Sequence, residues 1–364
     1  MKTKLILVGG FLGAGKTTML WEAASRLMAE GKKVALITND QASQLVDSEL
    51  LLQSGLKVAE VSGSCFCCNF GGFADAIKNL REEAAPDVII AEPVGSCADL
   101  SATILQPLKK YHSAEVEVAP FTVLTDPARI SSILDGGNGG LHEDAAYILR
   151  KQLEEADIIL LSKADAYPPE ILAPLIGKMG KVFPGTDIKT VSALSGQGVD
   201  SWLEDVKSGK ASGLKLLEID YDTYAHGEAV LGWLNGTIIV SGNDTDWDAY
   251  ASSLIGKLDS LFKEESLPVG HVKIIVENGK GYTVGNIAGD GKVSLRHTAG
   301  KGNNAKVIVN ARVETTPQHL DELVRKALEG ANEGLKSEII AWKYLQPGRP
   351  NPTYRFDSIV ENPE

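Results

Sequence analysis

Four things are scarce in this 364-residue sequence: cysteine, positive charge, long apolar runs and repetition. There are only four cysteines, and Cys65, Cys67 and Cys68 crowd into four positions while Cys97 stands apart, which is no pattern for a disulfide scaffold. The formal net charge of -12 excludes a general nucleic-acid binder and a binder of anionic membranes. The apolar run near the N-terminus, Leu5 to Val8, is too short for a membrane span, and no signal-peptide cleavage site follows it. These absences lead to the expectation of a cytoplasmic protein whose thiols stay reduced. Internal repeats and low-complexity tracts are missing as well. What is there, 43% hydrophobic and 23% charged residues, is the composition of a globular chain long enough for two domains.

The Leu5–Val8 run predicts a buried strand, and Met19, Leu20, Ala23, Ala24, Leu27 and Met28 recur at helical spacing up to Gly31. Between them stands Gly10, four residues, then Gly15-Lys16-Thr17. A strand, a glycine-rich turn ending in Gly-Lys-Thr and a helix form the context of a phosphate-binding loop. Glycines let backbone N–H groups converge on phosphate oxygens, and the helix N-terminus adds about half a positive charge. Lys16 supplies a full charge at the β- and γ-phosphates, and Thr17 a hydroxyl for Mg²⁺. Gly10, Gly13, Ala14, Gly15, Lys16, Thr17 and Thr18 are therefore the candidate nucleotide-binding residues of this stretch.

Further strands are expected at Lys33–Thr38, Leu56–Val61, Asp87–Ala91, Phe121–Leu124, Ile158–Leu161 and Ile188–Val191, with helices between them. That alternation calls for an α/β fold, a doubly wound, mostly parallel sheet of the P-loop nucleoside-triphosphatase type, with ligands at the carboxyl ends of the strands. A glycine-rich, mobile loop is expected at Leu134–Leu141, and a linker at Lys207–Gly213. The expected division is residues 1–207 as the nucleotide domain and 214–364 as a smaller C-terminal α+β domain on a mainly antiparallel sheet. The tail, with Pro347, Pro350 and Pro352, is expected to be extended.

Several strand ends carry chemistry. After the sixth strand comes Ser162-Lys163-Ala164-Asp165. A carboxylate at Asp165 can accept from both guanine N1–H and its exocyclic amine, a pair adenine does not offer, and the Lys163 stem can lie over the purine. The usual GTPase turn is Asn-Lys-X-Asp, and here Ser162 replaces the asparagine. Ser192 and Ala193 could present backbone N–H groups to guanine O6. Glu92 ends the fourth strand, where it could hold Mg²⁺ through water or orient the attacking water, making it with Lys16 the candidate catalytic pair. Gly95 could bring backbone to the γ-phosphate, and Asn39, Asp40 and Asp47 lie where a switch loop would sit.

The Cys65-Phe66-Cys67-Cys68 run follows the third strand. Thiolates suit Zn²⁺ and Co²⁺. Three thiols do not close a tetrahedral site, which suits an ion that must arrive and leave. Inert buried cysteines or a redox pair are the alternatives. Cys97 reads first as a small core residue and second as a fourth ligand. His226, His271 and His297 are candidate accessory ligands that read more simply as surface or core histidines, and Trp233 and Trp342 as core. With the phosphate loop after strand one and the thiols after strand three, both sites should face one crevice, so that hydrolysis could alter metal affinity.

Together these residues resemble the CobW-like metallochaperones, P-loop GTPases related to the nickel-insertion GTPases of urease and hydrogenase. The resemblance covers roughly the first 200 residues. It rests on Gly9 to Thr18, Asn39-Asp40 with Asp47, Cys65 to Cys68, Glu92 with Gly95 and Ala98-Asp99, and Gln152 to Asp157 leading into Ser162 to Asp165. It implies a slow GTP phosphohydrolase that binds GTP and Mg²⁺, carries Zn²⁺ or Co²⁺ on the cysteines and delivers it to a client, a cobalamin or corrinoid enzyme being one candidate. It implies that the C-terminal domain is the platform for client or partner. A second copy of the chain is one option for a partner; nucleic acid and membrane are not expected. Two rival readings are a nucleotide-dependent activator of a corrinoid or redox protein, and a metal-storage or sensing module that binds nucleotide.

Overall fold

The structure is a computed structural model that describes residues 2–40, 56–62, 64–288 and 291–361. Asp47 lies outside the described residues. The chain divides into two compact units, one formed by residues 1–139, 146–224 and 350–364, the other by 140–145 and 225–349.

In the first unit the elements run β1 (Thr3–Gly10), α1 (Lys16–Ala29), β2 (Val34–Asp40), β3 (Lys57–Ser62), α2 (Phe70–Ala84), β4 (Val88–Glu92), α3 (Gln106–Tyr111), β5 (Val116–Val118), β6 (Thr122–Thr125), α4 (Pro127–Leu134), α5 (Glu143–Glu155), β7 (Ile158–Leu161), α6 (Pro169–Val182), β8 (Asp187–Thr190), α7 (Val199–Lys207) and α8 (Tyr221–Ala229), whose last turn passes into the second unit. A π-helical turn, Ser101–Leu105, precedes α3. The strand order is β3-β2-β4-β1-β6-β7-β8, with β5 also paired to β1, and every pairing is parallel. The strands are apolar on both faces, as a sheet covered by helices requires: Ile6, Val8, Leu36, Ile90 and Leu160 are buried against Met19, Leu20, Ala23 and Leu27 of α1.

The order has a direct consequence. The chain leaves β1 between β4 and β6, so the loop after β1 stands at the point where the connections diverge, the place open α/β sheets use for ligands. The loops after β7 and β8 lie to one side of it. Those after β4, β2 and β3 lie to the other.

The expected strands of this unit are present, and β5 is an addition too short for periodicity to register. The glycine-rich loop is tied down: Gly137 N–H donates to Ser132 O at 2.8 Å and Gly139 N–H to Ser132 Oγ at 3.2 Å. The stretch read as a linker is fastened to the first unit. Lys109 Nζ donates to Ser212 O, Gln106 Nε2 to Gly213 O at 2.9 Å, and Asp157 accepts from the N–H groups of Gly213 and Leu214 at 2.6 and 3.1 Å. The described part of the tail, from Pro350 to Glu361, is extended and also lies with the first unit and not with the second.

The second unit continues with β9 (Leu231–Asp246), α9 (Trp247–Glu264), β10 (Val269–Glu277), β11 (Tyr282–Ala288), β12 (Val293–Arg296), β13 (Lys301–Glu314), α10 (Pro317–Ala331) and β14 (Lys336–Leu345). Its sheet is antiparallel, in the order β12-β11-β10-β13-β9-β14. Leu254, Leu258, Leu323 and Val324 of the two helices share its core with Val272, Ile274, Val307 and Val309. Trp233 is buried beneath the Arg312 guanidinium, 4.2 Å from its ring, and Trp342 packs against Arg325.

Candidate nucleotide and metal site

The loop after β1 is built as its glycines require. Gly10 has φ of 132°, and a Cβ there would meet Leu124 O at 2.4 Å, so only glycine lets the loop leave β1 beside β6. Gly15 caps α1 in the left-handed region, and Lys16 begins the helix. Lys16 is buried, with Nζ donating to Gly10 O at 2.8 Å and lying 3.9 Å from Glu92 Oε1. Burial pushes its pKa down, while the Glu92 carboxylate and the Cys97 thiol work against that. Thr17 Oγ1 donates to Glu92 Oε1 at 3.4 Å. Lys16, Thr17 and Glu92, expected separately from the sequence, therefore meet. Gly95 joins them: a Cβ there would sit 2.8 Å from Leu12 Cδ2 and 3.1 Å from Lys16 Nζ, so the bare backbone permits the approach.

On one flank are the loops read as base-recognising. Ser162, in place of the usual asparagine, is buried and anchors its turn to the neighbouring strand by donating from N and Oγ to Thr125 O at 3.0 and 3.1 Å. Lys163 has φ of 56° and pairs with Asp126 at 2.8 Å. Ala164 N–H donates to Val191 O at 3.0 Å, joining the turn to the end of β8, and Asp165 is exposed beyond it. Ser192 N–H donates to Gln197 O at 2.9 Å within its own loop, so of the expected pair of backbone donors that one is already engaged.

On the other flank is the thiol loop. Cys65 Sγ lies 3.0 Å from Cys67 Sγ, which lies 3.9 Å from Cys68 Sγ, and the three sulfurs could hold one metal ion. The loop coils into the N-terminus of α2, capped by Asn69 accepting from Gly72 N–H at 3.0 Å. A helix N-terminus favours thiolate. Hydrogen bonds from Cys67 first, and also from Cys68 and Cys97, pull the Cys65 thiol far below its ordinary value. The same contact with Cys65 pushes Cys67 up, and Cys68 to about 11.

Two attachments of this loop, and one of the segment after Glu92, were not legible as such in the sequence. Asn39, expected in a switch, instead clasps the thiol loop: Nδ2 donates to Val61 O and Ser64 O at 2.7 and 2.9 Å, and Oδ1 accepts from Phe66 N–H at 2.9 Å. Asp40 ends β2 on the backbone. The tail crosses the loop, with Thr353 N–H donating to Cys67 O at 2.8 Å, Thr353 Oγ1 to Cys68 O at 3.2 Å and Asn351 N–H to Cys68 Sγ at 3.3 Å. Arg355 Nε then ties the tail to Asp99 Oδ2 at 2.7 Å. Finally, the Gln152–Asp157 stretch orders the segment after Glu92. Gln152 Nε2 donates to Gly95 O and Cys97 O at 3.0 and 2.8 Å, and Glu155 accepts from Ser101 N–H at 2.9 Å.

The three histidines read as possible accessory ligands have other surroundings. His226 contacts Asp144 beside His142, a group of potential ligand atoms in the second unit in which His142 Nδ1 accepts from Asp144 N–H at 3.2 Å. His297 has its ring 4.7 Å from Tyr282, and His271 sits in β10.

The model of the CobW/HypB/UreG nucleotide-binding domain matches residues 4–187, just over half of the chain. The chain belongs to this family. Its phosphate loop, its Ser162–Asp165 turn and its thiol run fall inside the matched span, and Ser192 and Ala193 lie just beyond it. The zinc chaperone YeiR of Escherichia coli is 27% identical over 175 residues, 46% of this chain and 48% of that protein. The zinc chaperone CobW of Pseudomonas aeruginosa is 28% identical over 226 residues, 54% of this chain and 58% of that protein. The zinc-regulated GTPase metalloprotein activator 1 of Dictyostelium discoideum is 26% identical over 212 residues, 50% of this chain and 44% of that protein. The chain spans about half the length of the curated relatives it matches.

Proposed function

We propose that the chain is a GTP-hydrolysing metallochaperone that carries zinc on Cys65, Cys67 and Cys68 and delivers it to a client protein under control of the bound nucleotide. One observation carries this reading: the Lys16–Thr17–Glu92 group and the thiol loop lie at the same edge of one parallel sheet, and the segment from Glu92 to Cys97 touches both. The names of the relatives, zinc chaperones and a zinc-regulated GTPase activator, support zinc as the cargo, with Co²⁺ as a second ion of matching donor preference.

In this reading the backbone of Gly10 to Thr18 wraps the phosphates and Lys16 meets the β- and γ-phosphates with its charge. Thr17 Oγ1 and Glu92 Oε1, 3.4 Å apart, are an oxygen pair of the kind Mg²⁺ takes, and they would hold it. When bound there, Mg²⁺ supplies neutralisation of charge on the phosphate oxygens. Glu92 also orients the attacking water. Asp165 and Lys163 read and cover the guanine, with Ala193 as the donor left in the Ser192–Ala193 pair. The second unit receives the client, for which a cobalamin or corrinoid enzyme is a candidate, and a second copy of the chain is the candidate for self-association. The need to keep three clustered thiols reduced supports a cytoplasmic location. Separately, no helix among the described residues is long and apolar enough to cross a membrane.

The test is the paired variant Cys67→Ala/Cys68→Ala, assayed for zinc by equilibrium dialysis and for GTP by fluorescence titration. The reading expects zinc to be lost while GTP still binds. Zinc uptake equal to that of the unaltered chain would remove the thiols from the function.

A further inference from the structure

Resting on that metallochaperone reading, we propose that residues 351–356 of the C-terminal tail are a strap over the thiol loop, latched by Arg355 on Asp99, that supplies the outer shell of the metal site and sets how fast the ion leaves. Three of the strap's bonds end on two of the three cysteines. Asn351 N–H donates to Cys68 Sγ at 3.3 Å, Thr353 N–H to Cys67 O at 2.8 Å and Thr353 Oγ1 to Cys68 O at 3.2 Å. The Thr353 hydroxyl also accepts from Phe70 N–H at 3.4 Å, so one oxygen joins the loop to the start of α2 behind it. An N–H aimed at a ligand sulfur does what hydrogen bonds around other metal ligands do: it fixes the ligand's orientation and steadies its charge.

The fastening beyond Thr353 is that of a removable piece. The Tyr354 ring lies 5.3 Å from Phe70 and 5.4 Å from Tyr111, yet Tyr354 is 39% exposed. Arg355 Nε donates to Asp99 Oδ2 at 2.7 Å and Nη2 to Leu217 O at 2.7 Å. Asp99 is only 2% exposed, and Tyr221 Oη donates to the same oxygen at 2.7 Å. Phe356 N–H donates to Ala102 O at 3.1 Å. That carbonyl is open to the tail because its π-helical partner would be the N–H of residue 107, a proline, while Gln106 N–H goes to Ser101 O. A tail that served stability alone would bury its side chains. This one is exposed over most of its length, forms no helix or strand and is held by scattered polar bonds. Segments of that kind open locally while the rest of the molecule stays folded. Opening takes the cation from a buried carboxylate, which burial disfavours, so the closed arrangement is the resting one. With the strap down, Cys68 keeps its N–H partner and the ion is retained. With the strap lifted, Cys68 loses that bond and both cysteines lose their backbone ties. The ion then passes to the client by exchange of one ligand for another, with no change of oxidation state.

The experiment uses the full chain, reduced and without oxygen. Zinc-loaded protein is mixed with excess chelator and the release rate is followed by stopped flow. Thr353→Val and Arg355→Ala should release zinc on the order of 10- to 100-fold faster, the usual effect of losing outer-shell support. Thr353→Ser and Arg355→Lys should return most of the unaltered rate. Asn351→Pro removes the N–H given to Cys68 and suits the extended backbone that Pro352 imposes on the residue before it. In the cobalt-loaded chain this variant should shift the sulfur-to-cobalt charge-transfer band, which a role in stability alone would leave in place. GTP binding by each variant reports that the sheet is folded. If Arg355→Ala loses it, Thr353→Val and Asn351→Pro, both in the exposed tail, decide the matter. Release as slow as in the unaltered chain, with the cobalt band unmoved, overturns the strap and leaves the three-thiol reading standing. An unaltered chain that binds neither ion ends both.

Discussion

The two flanks of the phosphate loop are held in different ways. On the β6-β7-β8 flank the strands follow in sequence order and each turn is tied to the strand beside it: Ser162 to Thr125, Lys163 to Asp126, Ala164 to Val191. On the β4-β2-β3 flank the ties come from far along the chain. Phe66 is held by Asn39, 27 residues away; Cys97 by Gln152, 55 away; Cys68 by Thr353, 285 away. The first arrangement suits a reader that should not change shape. The second suits a site that other parts of the molecule can tighten or release, because each tie comes from a residue distant in sequence. Energetic coupling between sites needs such an element with two arrangements.

Four substitutions sharpen or break this contrast. The largest effect is expected from Lys16→Ala, which removes the charge common to both flanks; GTP turnover should fall on the order of 10²–10³-fold, measured as phosphate release. Asn39→Ala comes next. It leaves Val61 O, Ser64 O and Phe66 N–H without their partner and should cost about 2–4 kcal/mol in urea denaturation while weakening zinc binding. A stability loss with zinc affinity intact would mean that the clasp is structural alone. Asp165→Ala should lower the preference for GTP over ATP by about 10- to 100-fold in competition binding, through loss of two charged hydrogen bonds, and leave zinc binding as it was. The smallest effect is expected from Ser162→Ala, about 1 kcal/mol of stability from one hydroxyl bond, again without consequence for zinc. If this change on the guanine flank alters zinc affinity as much as Asn39→Ala does, the distinction between the flanks fails.

The same contrast explains what the sequence made legible. The parallel sheet, the phosphate loop and the turn after β7 were readable because each is a strand followed at once by its own polar residues, whereas the N–H expected to be open at Ser192 is engaged within its own loop. The meeting of Lys16, Thr17 and Glu92 followed from placing strand ends along one edge. The role of Asn39 was not readable: an asparagine after a strand suits a switch as well as a clasp, and only the position of Ser64 and Phe66 decides. Nor was the tail, since prolines predict an extended chain and not what it crosses. The stretch 207–213 has the glycine and serine of a linker, but Lys109, Gln106 and Asp157 meet its backbone and hold it.

Nucleotide-dependent metal affinity is the most direct test of the whole account. Zinc affinity should be measured by chelator competition on the reduced full chain with a non-hydrolysable GTP analogue, with GDP and with no nucleotide. Neighbouring, mechanically joined sites predict that the GTP-analogue and GDP states differ by about 5- to 150-fold. The same affinity in all three states would contradict it, leaving a nucleotide hydrolase and a thiol site that merely share a sheet.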